Sequence, residues 1–232
     1  MLVNSAAARP VPQGDLLRRL HTQAAAGTRL QQKVPVHPVL TGLLDGGLQP
    51  GAAYSITGGS LLLALLAEPS KAGAWCGVVG VPELGTEAAR SAGVALDRLV
   101  LVPKPGERWL SVVAALAEAL PVVAVRPPGR VPDADANRLA ARLRERSAVL
   151  LVCGEWPRTQ MTLTLTERHW SGLGSGHGYL SSREVVISAV DKRQAMPRIA
   201  RMILPDAHGR PAEAPERDSD QFRSRPRLRA VS

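Results

Sequence analysis

Apolar runs alternate with amphipathic stretches through the middle of the chain, and this alternation predicts its secondary structure. Short runs rich in valine, leucine and alanine predict buried strands at 53–57, 75–80, 99–103, 122–126 and 149–153. Apolar residues at helical spacing predict helices between them, at 61–68, 86–92, 109–120 and 136–146. Apolar strands that alternate with helices are typical of a parallel sheet covered on both faces. The predicted fold class is therefore α/β, with a mostly parallel sheet flanked by helices.

The pattern changes after residue 160. Residues 161–170 alternate between apolar and polar, which is typical of a half-buried strand, and residues 184–191 form a second strand-like run. Between them, residues 172–178 are rich in glycine and match neither a dinucleotide-binding nor a nucleophile-elbow pattern. We interpret them as a loop, so this region predicts a C-terminal antiparallel hairpin on the edge of the sheet.

Both ends of the chain differ in composition from this core, which we place at 33–204. Residues 1–14 are small and polar and are predicted to be disordered. Residues 15–32 predict an amphipathic helix, capped by Asp15, which either packs on the body or docks a partner. Residues 205–232 predict a disordered tail in which acidic residues precede arginines. The residues predicted to bind a partner in this tail are Phe222, Arg223, Arg225, Arg227, Leu228 and Arg229.

Two local features near the start of the core lead to further predictions. Residues 33–44 are predicted to be extended, because Pro35 and Pro38 bias the preceding residues away from helix. His37 lies between these prolines and is predicted to be structural, since no carboxylate or cysteine cluster accompanies it. Further along, Ser60 is predicted to cap the helix at 61–68, which Pro69 and Gly73 would end.

Charge and cysteine content narrow the class of protein. The formal net charge is +9 and the sequence pI is about 10.7, which invites a nucleic-acid interpretation, although arginine spread along the chain can also reflect genome composition. Cys76 and Cys153 lie in apolar strand-like runs, which indicates buried, reduced thiols in a cytosolic protein. We predict no metal site, no membrane span and no signal peptide, because the required spacings and apolar runs are absent.

Residues 46–81 have the layout of a nucleotide-binding strand–loop–helix–strand unit. A phosphate-binding loop reads G-x-x-x-x-G-K-[ST], with a lysine for the phosphate charge and a hydroxyl for Mg²⁺. Counted from Gly58, the second glycine falls on Leu63, the lysine on Ala64 and the hydroxyl on Leu65. The sequence therefore predicts either a nucleotide-site scaffold that has lost its site, with a degenerate loop at Gly58, Gly59 and Ser60, or an ordinary strand–turn–helix.

The order of these elements resembles RecA from about residue 40 to residue 190. The phrases that carry the likeness are GGLQPG at 46–51, ARSAGV at 89–94 and the strand at 99–101. Within that superfamily the chain is most similar to the actinobacterial ImuA-type (ImuA-prime) accessory proteins of the damage-induced mutasome. The phrases specific to this likeness are VPVHPVL (34–40), LLALLAEPSKAGAWCGVVG (62–80), RLVLVPKPGERW (98–109), RLAARLRERSAVLLVCGEWP (138–157) and WSGLGSGHGYL (170–180).

This resemblance implies a RecA-like fold and a non-enzymatic adaptor role in SOS-induced translesion synthesis. The implied partners are an ImuB-type Y-family polymerase homologue and, through it, an error-prone DnaE-type polymerase, in the cytoplasm and at the nucleoid when damage-induced. The chain departs from RecA where the strand at 122–126 ends in Arg126 instead of a metal-binding aspartate. Glu83 lies near, but offset from, the position of the water-activating carboxylate. We expect no cofactor. The competing interpretations are an ATP-independent DNA-binding RecA-like protein and an ATPase with an unusual phosphate loop.

Overall fold

A computed structural model describes residues 32–171, 182–191 and 196–215. Within these residues, nine strands form one sheet. The strands are β1 (Ala53–Ile56), β2 (Cys76–Val79), β3 (Leu99–Val102), β4 (Val122–Val125), β5 (Val149–Cys153), β6 (Met161–Ser171), β7 (Ser182–Asp191), β8 (Arg198–Ile203) and β9 (Ala212–Glu213). The α-helices are α1 (Pro38–Thr41), α2 (Gly59–Lys71), α3 (Thr86–Ser91), α4 (Trp109–Ala119) and α5 (Asp133–Arg146).

The strand order across the sheet is β3-β2-β4-β5-β1-β6-β7-β8-β9. The pairs from β3 to β6 are all parallel, and the pairs from β6 to β9 are antiparallel. This arrangement confirms the predicted α/β class, with a mostly parallel sheet and antiparallel strands at its C-terminal side.

Strand β4, which lies in the middle of the five strands β1 to β5, shows why these runs are apolar throughout. Its four residues are all 0% exposed, and they divide between the two faces of the sheet. Val122 and Ala124 pack with α2 and the segment before β1, while Val123 and Val125 pack with α4 and α5. Because helices cover both faces, every position along the strand is shielded from water, and a polar side chain there would be desolvated.

Helix α2 corrects two predictions made from local signals. Gly58, not Ser60, is the N-cap residue, and Ser60 lies in the first turn of the helix. Pro69 lies inside the helix, which continues to Lys71 before Ala72 and Gly73 end it. The last turn persists because Pro69 and Ser70 are buried in the core and the Ser70 hydroxyl accepts a 3.0 Å bond from the Ala95 N–H. Tertiary packing therefore outweighs the helix-breaking tendency of proline here.

The segment predicted to be extended at 33–44 contains α1, so that prediction is wrong for part of it. Pro38 occupies the first helical turn, where its missing N–H has no intrahelical partner in any case. His37 precedes it, and its Nδ1 accepts a 3.4 Å bond from the Val39 N–H. Burial lowers the pKa of His37. These contacts agree with the structural role predicted for this histidine.

The C-terminal part of the fold extends beyond the predicted hairpin. Strands β6 and β7 pair as predicted, but β8 and β9 follow, so the hairpin lies inside the sheet instead of at its edge. Residues 205–215, predicted to belong to the tail, lie in the fold. The Arg183 N–H donates to the Pro205 carbonyl at 2.9 Å, and Asp206 Oδ1 accepts from the His208 and Arg210 N–H groups at 2.8 Å each. Backbone hydrogen bonds and the Asp206 side chain order this stretch, although its sequence shows no apolar periodicity.

Several predictions fall outside the described residues. These are the disordered segment at 1–14, the amphipathic helix at 16–31, the glycine-rich loop at 172–178 and the tail from 216 to 232. Within the part of the chain that the structure describes, none of the helices has the length and apolarity that crossing a membrane requires.

Candidate functional site

The carboxyl ends of the parallel strands meet at one edge of the sheet, where open α/β folds bind their ligands. Strand β1 is followed there by Thr57 and Gly58 alone, because α2 begins at Gly59. The Thr57 N–H already donates to the Leu163 carbonyl of β6 at 3.0 Å. A phosphate-binding loop surrounds its ligand with several consecutive N–H groups between strand and helix. The connection from β1 to α2 is too short to surround a phosphate in this way.

The positions that would carry the phosphate-loop lysine and hydroxyl lie within α2 and point into the core. Ala64 and Leu65 are both 0% exposed and belong to the apolar cluster beneath the helix. A lysine at position 64 would be buried away from the sheet edge, with no water to solvate its ammonium group. The geometry therefore does not offer a phosphate-binding role to this part of the helix.

Gly58 is enclosed by the neighbouring strand β6. Its φ of +98° is a conformation that side-chain-bearing residues rarely adopt, and a Cβ there would lie 2.6 Å from Leu165 Cδ1. The Leu165 N–H donates to the Thr57 hydroxyl at 3.3 Å, which holds β6 against the turn. The Leu165 side chain thus occupies the space beside the turn on the β6 side.

Ser60 is engaged by an arginine from β7. The Arg183 guanidinium donates to the Ser60 hydroxyl and, through Nε, to the Leu204 carbonyl at 2.7 Å. Burial, with a contribution from nearby Arg168, lowers the pKa of Arg183. The sequence did not indicate this residue, because it is 123 positions from Ser60. Of the predicted degenerate loop, Gly58 caps α2 and is enclosed by β6, Ser60 is bonded to Arg183, and Gly59 is the first residue of the helix.

Glu83 and Arg126, which follow β2 and β4, form an ion pair at the same edge. The two strands are neighbours in the sheet, so their carboxyl ends bring these side chains together. The hydrogen bond from Arg126 lowers the pKa of Glu83. Arg126 occupies the position where the RecA resemblance expects a metal-binding aspartate, and its charge satisfies the carboxylate that the resemblance associates with water activation.

The two cysteines lie in unreactive surroundings. Burial raises the pKa of Cys76 to about 12 and that of Cys153, near Arg126 and Glu83, to about 11. Both thiols are therefore protonated at neutral pH, whereas nucleophilic cysteines are thiolates. The predicted burial is confirmed for Cys76, and Cys153 is partly buried.

A groove of about 830 Å³ lies beyond the ends of β4 and β5. Its walls are the proline-rich connection after β4 and the short connection after β5, and they include Pro127, Arg130, Pro132, Cys153, Glu155 and Trp156. The Trp156 side chain is 7% exposed and packs into the core, so it anchors one wall. The sequence did not indicate this groove, because it forms where the connections after β4 and β5 meet and no local pattern brings them together.

The predicted absence of a metal site remains a prediction. Among the residues that the structure describes, no cluster of three or more His, Cys, Asp or Glu side chains could hold a metal ion. The predicted partner-binding residues Phe222, Arg223, Arg225, Arg227, Leu228 and Arg229 lie outside the described ranges, so the structure does not place them.

Residues 42–158 match the family described as MT3502 N-terminal domain, which is half of the chain. This chain belongs to that family. The MT3502 N-terminal domain covers the five strands from β1 to β5, and with them the turn at Gly58, the Glu83–Arg126 pair and the residues that line the groove. It ends before β6 and β7, which supply Leu165 and Arg183.

A relative of this MT3502-family chain occurs in Mycobacterium tuberculosis. It is the uncharacterized protein Rv3395c, which is 36% identical over 134 residues. The aligned residues are 55% of this chain and 66% of the relative, slightly less than two thirds of its length. The similarity indicates an actinobacterial family, and the name carries no activity that could be transferred.

Proposed function

We propose that this protein is a non-catalytic, RecA-like adaptor in SOS-induced translesion synthesis. In this role it bridges an ImuB-type Y-family polymerase homologue and an error-prone DnaE-type polymerase. It would act in the cytoplasm and associate with the nucleoid after DNA damage. The proposal refines the ImuA-type resemblance of the sequence, and an actinobacterial family membership is consistent with it.

The observation that carries the proposal is the short connection between β1 and α2. Thr57 and Gly58 form all of it, Leu165 lies against it, and Arg183 bonds to Ser60 in the first turn of α2. Phosphoryl transfer depends on positioning the phosphates and on neutralising their charge with a lysine and Mg²⁺. A fold with the RecA-like order of elements but without a phosphate-binding loop supports a role in which the domain holds other proteins together.

The proposed partner contact is the tail, because its arginines and its single aromatic residue suit a hot spot on a protein surface. The experiment is capture of the purified ImuB-type homologue by the immobilised full-length chain and by a truncation that ends at Pro215. Position 215 is the last described residue, so this truncation leaves β9 and the Asp206 turn intact. We expect capture to fall at least tenfold and the melting temperature to stay within about 2 °C.

Matched charge variants distinguish the effect of losing the positive charge of the tail from the effect of losing the tail itself. Reversal of Arg223, Arg225, Arg227 and Arg229 to glutamate is expected to weaken capture as the truncation does, whereas replacement by lysine retains the charge and most of the binding. Raising the salt concentration should weaken the wild-type complex, because exposed charges are screened. Undiminished capture by the truncated chain would move the interface to the folded body and contradict this placement.

A further inference from the structure

Two arginines and a tryptophan form a basic aromatic patch at the outer end of β6 and β7. We call Arg168, Trp170 and Arg183 the Arg–Trp patch. Arg168 and Trp170 are two residues apart on β6, so they share one face, and Trp170 lies opposite Arg183 in the strand register. Trp170 is 49% exposed and Arg168 is exposed. Packing of the sheet does not require a half-exposed tryptophan beside two cationic side chains.

Arg183 is held in place and in turn orients the indole. Its guanidinium carbon lies 5.1 Å from the centre of the Trp170 ring, and its bonds to the Leu204 carbonyl and the Ser60 hydroxyl keep it there. The part of the Trp170 ring that Arg183 leaves uncovered is therefore held in one orientation on the strand. Ordering an aromatic side chain before it binds reduces the entropy lost on binding.

The charges of the patch favour an anion. Arg168 lies opposite Val185 and therefore diagonally across the strand pair from Arg183, so two like charges repel each other on one face of the sheet. Burial, with a smaller contribution from Arg168, lowers the pKa of Arg183. A phosphate between or beside them would relieve this repulsion and form charge-assisted hydrogen bonds. The formal net charge of +9 adds long-range attraction for a polyanion.

We propose that the Arg–Trp patch binds single-stranded nucleic acid, with a base stacked on Trp170 and the neighbouring phosphate on Arg168. A single strand exposes the faces of its bases, and stacking on aromatic side chains together with contacts from arginine to phosphate is how such strands are held without sequence preference. A duplex keeps its bases stacked inside and offers the patch only phosphates. This binding goes beyond the adaptor role and does not depend on it.

The test measures fluorescence anisotropy of labelled oligothymidylate and oligouridylate, each about 20 nucleotides long, with the full-length protein at low salt. The two oligomers distinguish DNA from RNA as the source of the strand, and a duplex of the same length is the third arm. We expect at least one single strand to bind more tightly than the duplex, with an affinity that falls as salt rises. Equal binding of duplex and single strand, or no binding to either oligomer, overturns the proposal.

Variants assign the binding to the patch. Trp170→Ala is expected to weaken single-strand binding about tenfold, whereas Trp170→Phe retains most of it because a phenyl ring also stacks. Arg168→Gln should weaken binding and reduce its salt dependence, while Arg138→Gln, at an exposed arginine on α5, serves as the matched control. If Trp170→Ala unfolds, the comparison of Trp170→Phe with Arg168→Gln still decides whether the Arg–Trp patch binds the oligonucleotide.

The same variants distinguish nucleic acid from a protein partner. If Arg168→Gln and Trp170→Ala leave oligonucleotide binding unchanged but reduce capture of the ImuB-type homologue, the patch is a protein contact and the proposal is wrong. If oligonucleotide binding falls while capture is unchanged, the nucleic-acid site is supported independently of the adaptor function.

Discussion

The Arg126 guanidinium donates a hydrogen bond to the Glu83 carboxylate across the carboxyl ends of β4 and β2. Neither residue has an obvious partner along the chain, and the pair forms because two parallel strands end side by side. It neutralises the only carboxylate that the RecA resemblance associates with catalysis. Both side chains are partly exposed, at 42% for Arg126 and 57% for Glu83, so the pair is a surface feature with a small effect on stability.

Isothermal titration with Mg·ATP is expected to give no binding heat. The connection between β1 and α2 lacks the length to surround a phosphate, and Arg126 stands where a metal-binding carboxylate would be needed. An Arg126→Asp variant is the matched test, and it should also give no heat because the loop is still too short. A saturable, magnesium-dependent heat that disappears in Glu83→Ala would show that the nucleotide site has been retained.

Gly58→Ala is expected to lower the stability of the fold by roughly 1–3 kcal/mol, or several degrees in melting temperature. The reasons are the positive φ of +98° and the 2.6 Å approach of Leu165 Cδ1 to an added Cβ. Gly59→Ala is the control, since a Cβ at that helical position meets no atom within 4 Å and alanine favours helix. Equal melting temperatures for the two variants would show that Leu165 and the turn adjust freely.

Val123→Asp is expected to abolish cooperative thermal unfolding, as followed by circular dichroism. Val123 is 0% exposed in the interior strand β4, and a buried, unpaired carboxylate costs several kcal/mol, roughly the whole stability of a small domain. Val190→Asp is the control, because that residue is 48% exposed and its carboxylate stays hydrated. A normal transition for Val123→Asp would mean that α4 and α5 do not shield this face of β4 from water.

The stability contributed by Cys153 should decline in alkaline solution. Burial raises its pKa from the ordinary 9.0 to about 11 in the folded state. The contribution is fully present below pH 9 and is lost as the pH rises through 11, because the unfolded chain ionises first. Urea melts at several pH values should show a loss of up to about 3 kcal/mol that Cys153→Ala removes. Identical pH dependence in the variant would show that the thiol is hydrated.

Native-state alkylation tests the same burial independently. Iodoacetamide at pH 8 should modify both cysteines slowly in the folded protein and rapidly in denaturant, because only the thiolate reacts. Fast reaction of the folded protein at one site would contradict the described environment of that cysteine.

The local sequence determined much of the parallel core. The bounds of β5, at 149–153, were predicted as the structure has them, and the other central strands differ by one or two residues at their ends. This success has a physical reason: a strand buried on both faces must be apolar at every position, so a short apolar run between helices marks it. The absence of the phosphate-loop lysine and hydroxyl could likewise be read directly from the residues after Gly58.

Tertiary structure alone decided which side chains surround the turn at Gly58. Leu165 and Arg183 reach Gly58 and Ser60 from strands more than 100 residues away, through pairing that no local pattern encodes. Packing also kept Pro69 within α2, because the buried last turn gains contacts that outweigh one lost backbone hydrogen bond. Strand β9 exists because β8 offers it an edge, not because residues 212–213 favour a strand. Periodicity reports which side chains are buried, whereas the contacts between distant segments depend on how the whole sheet is assembled.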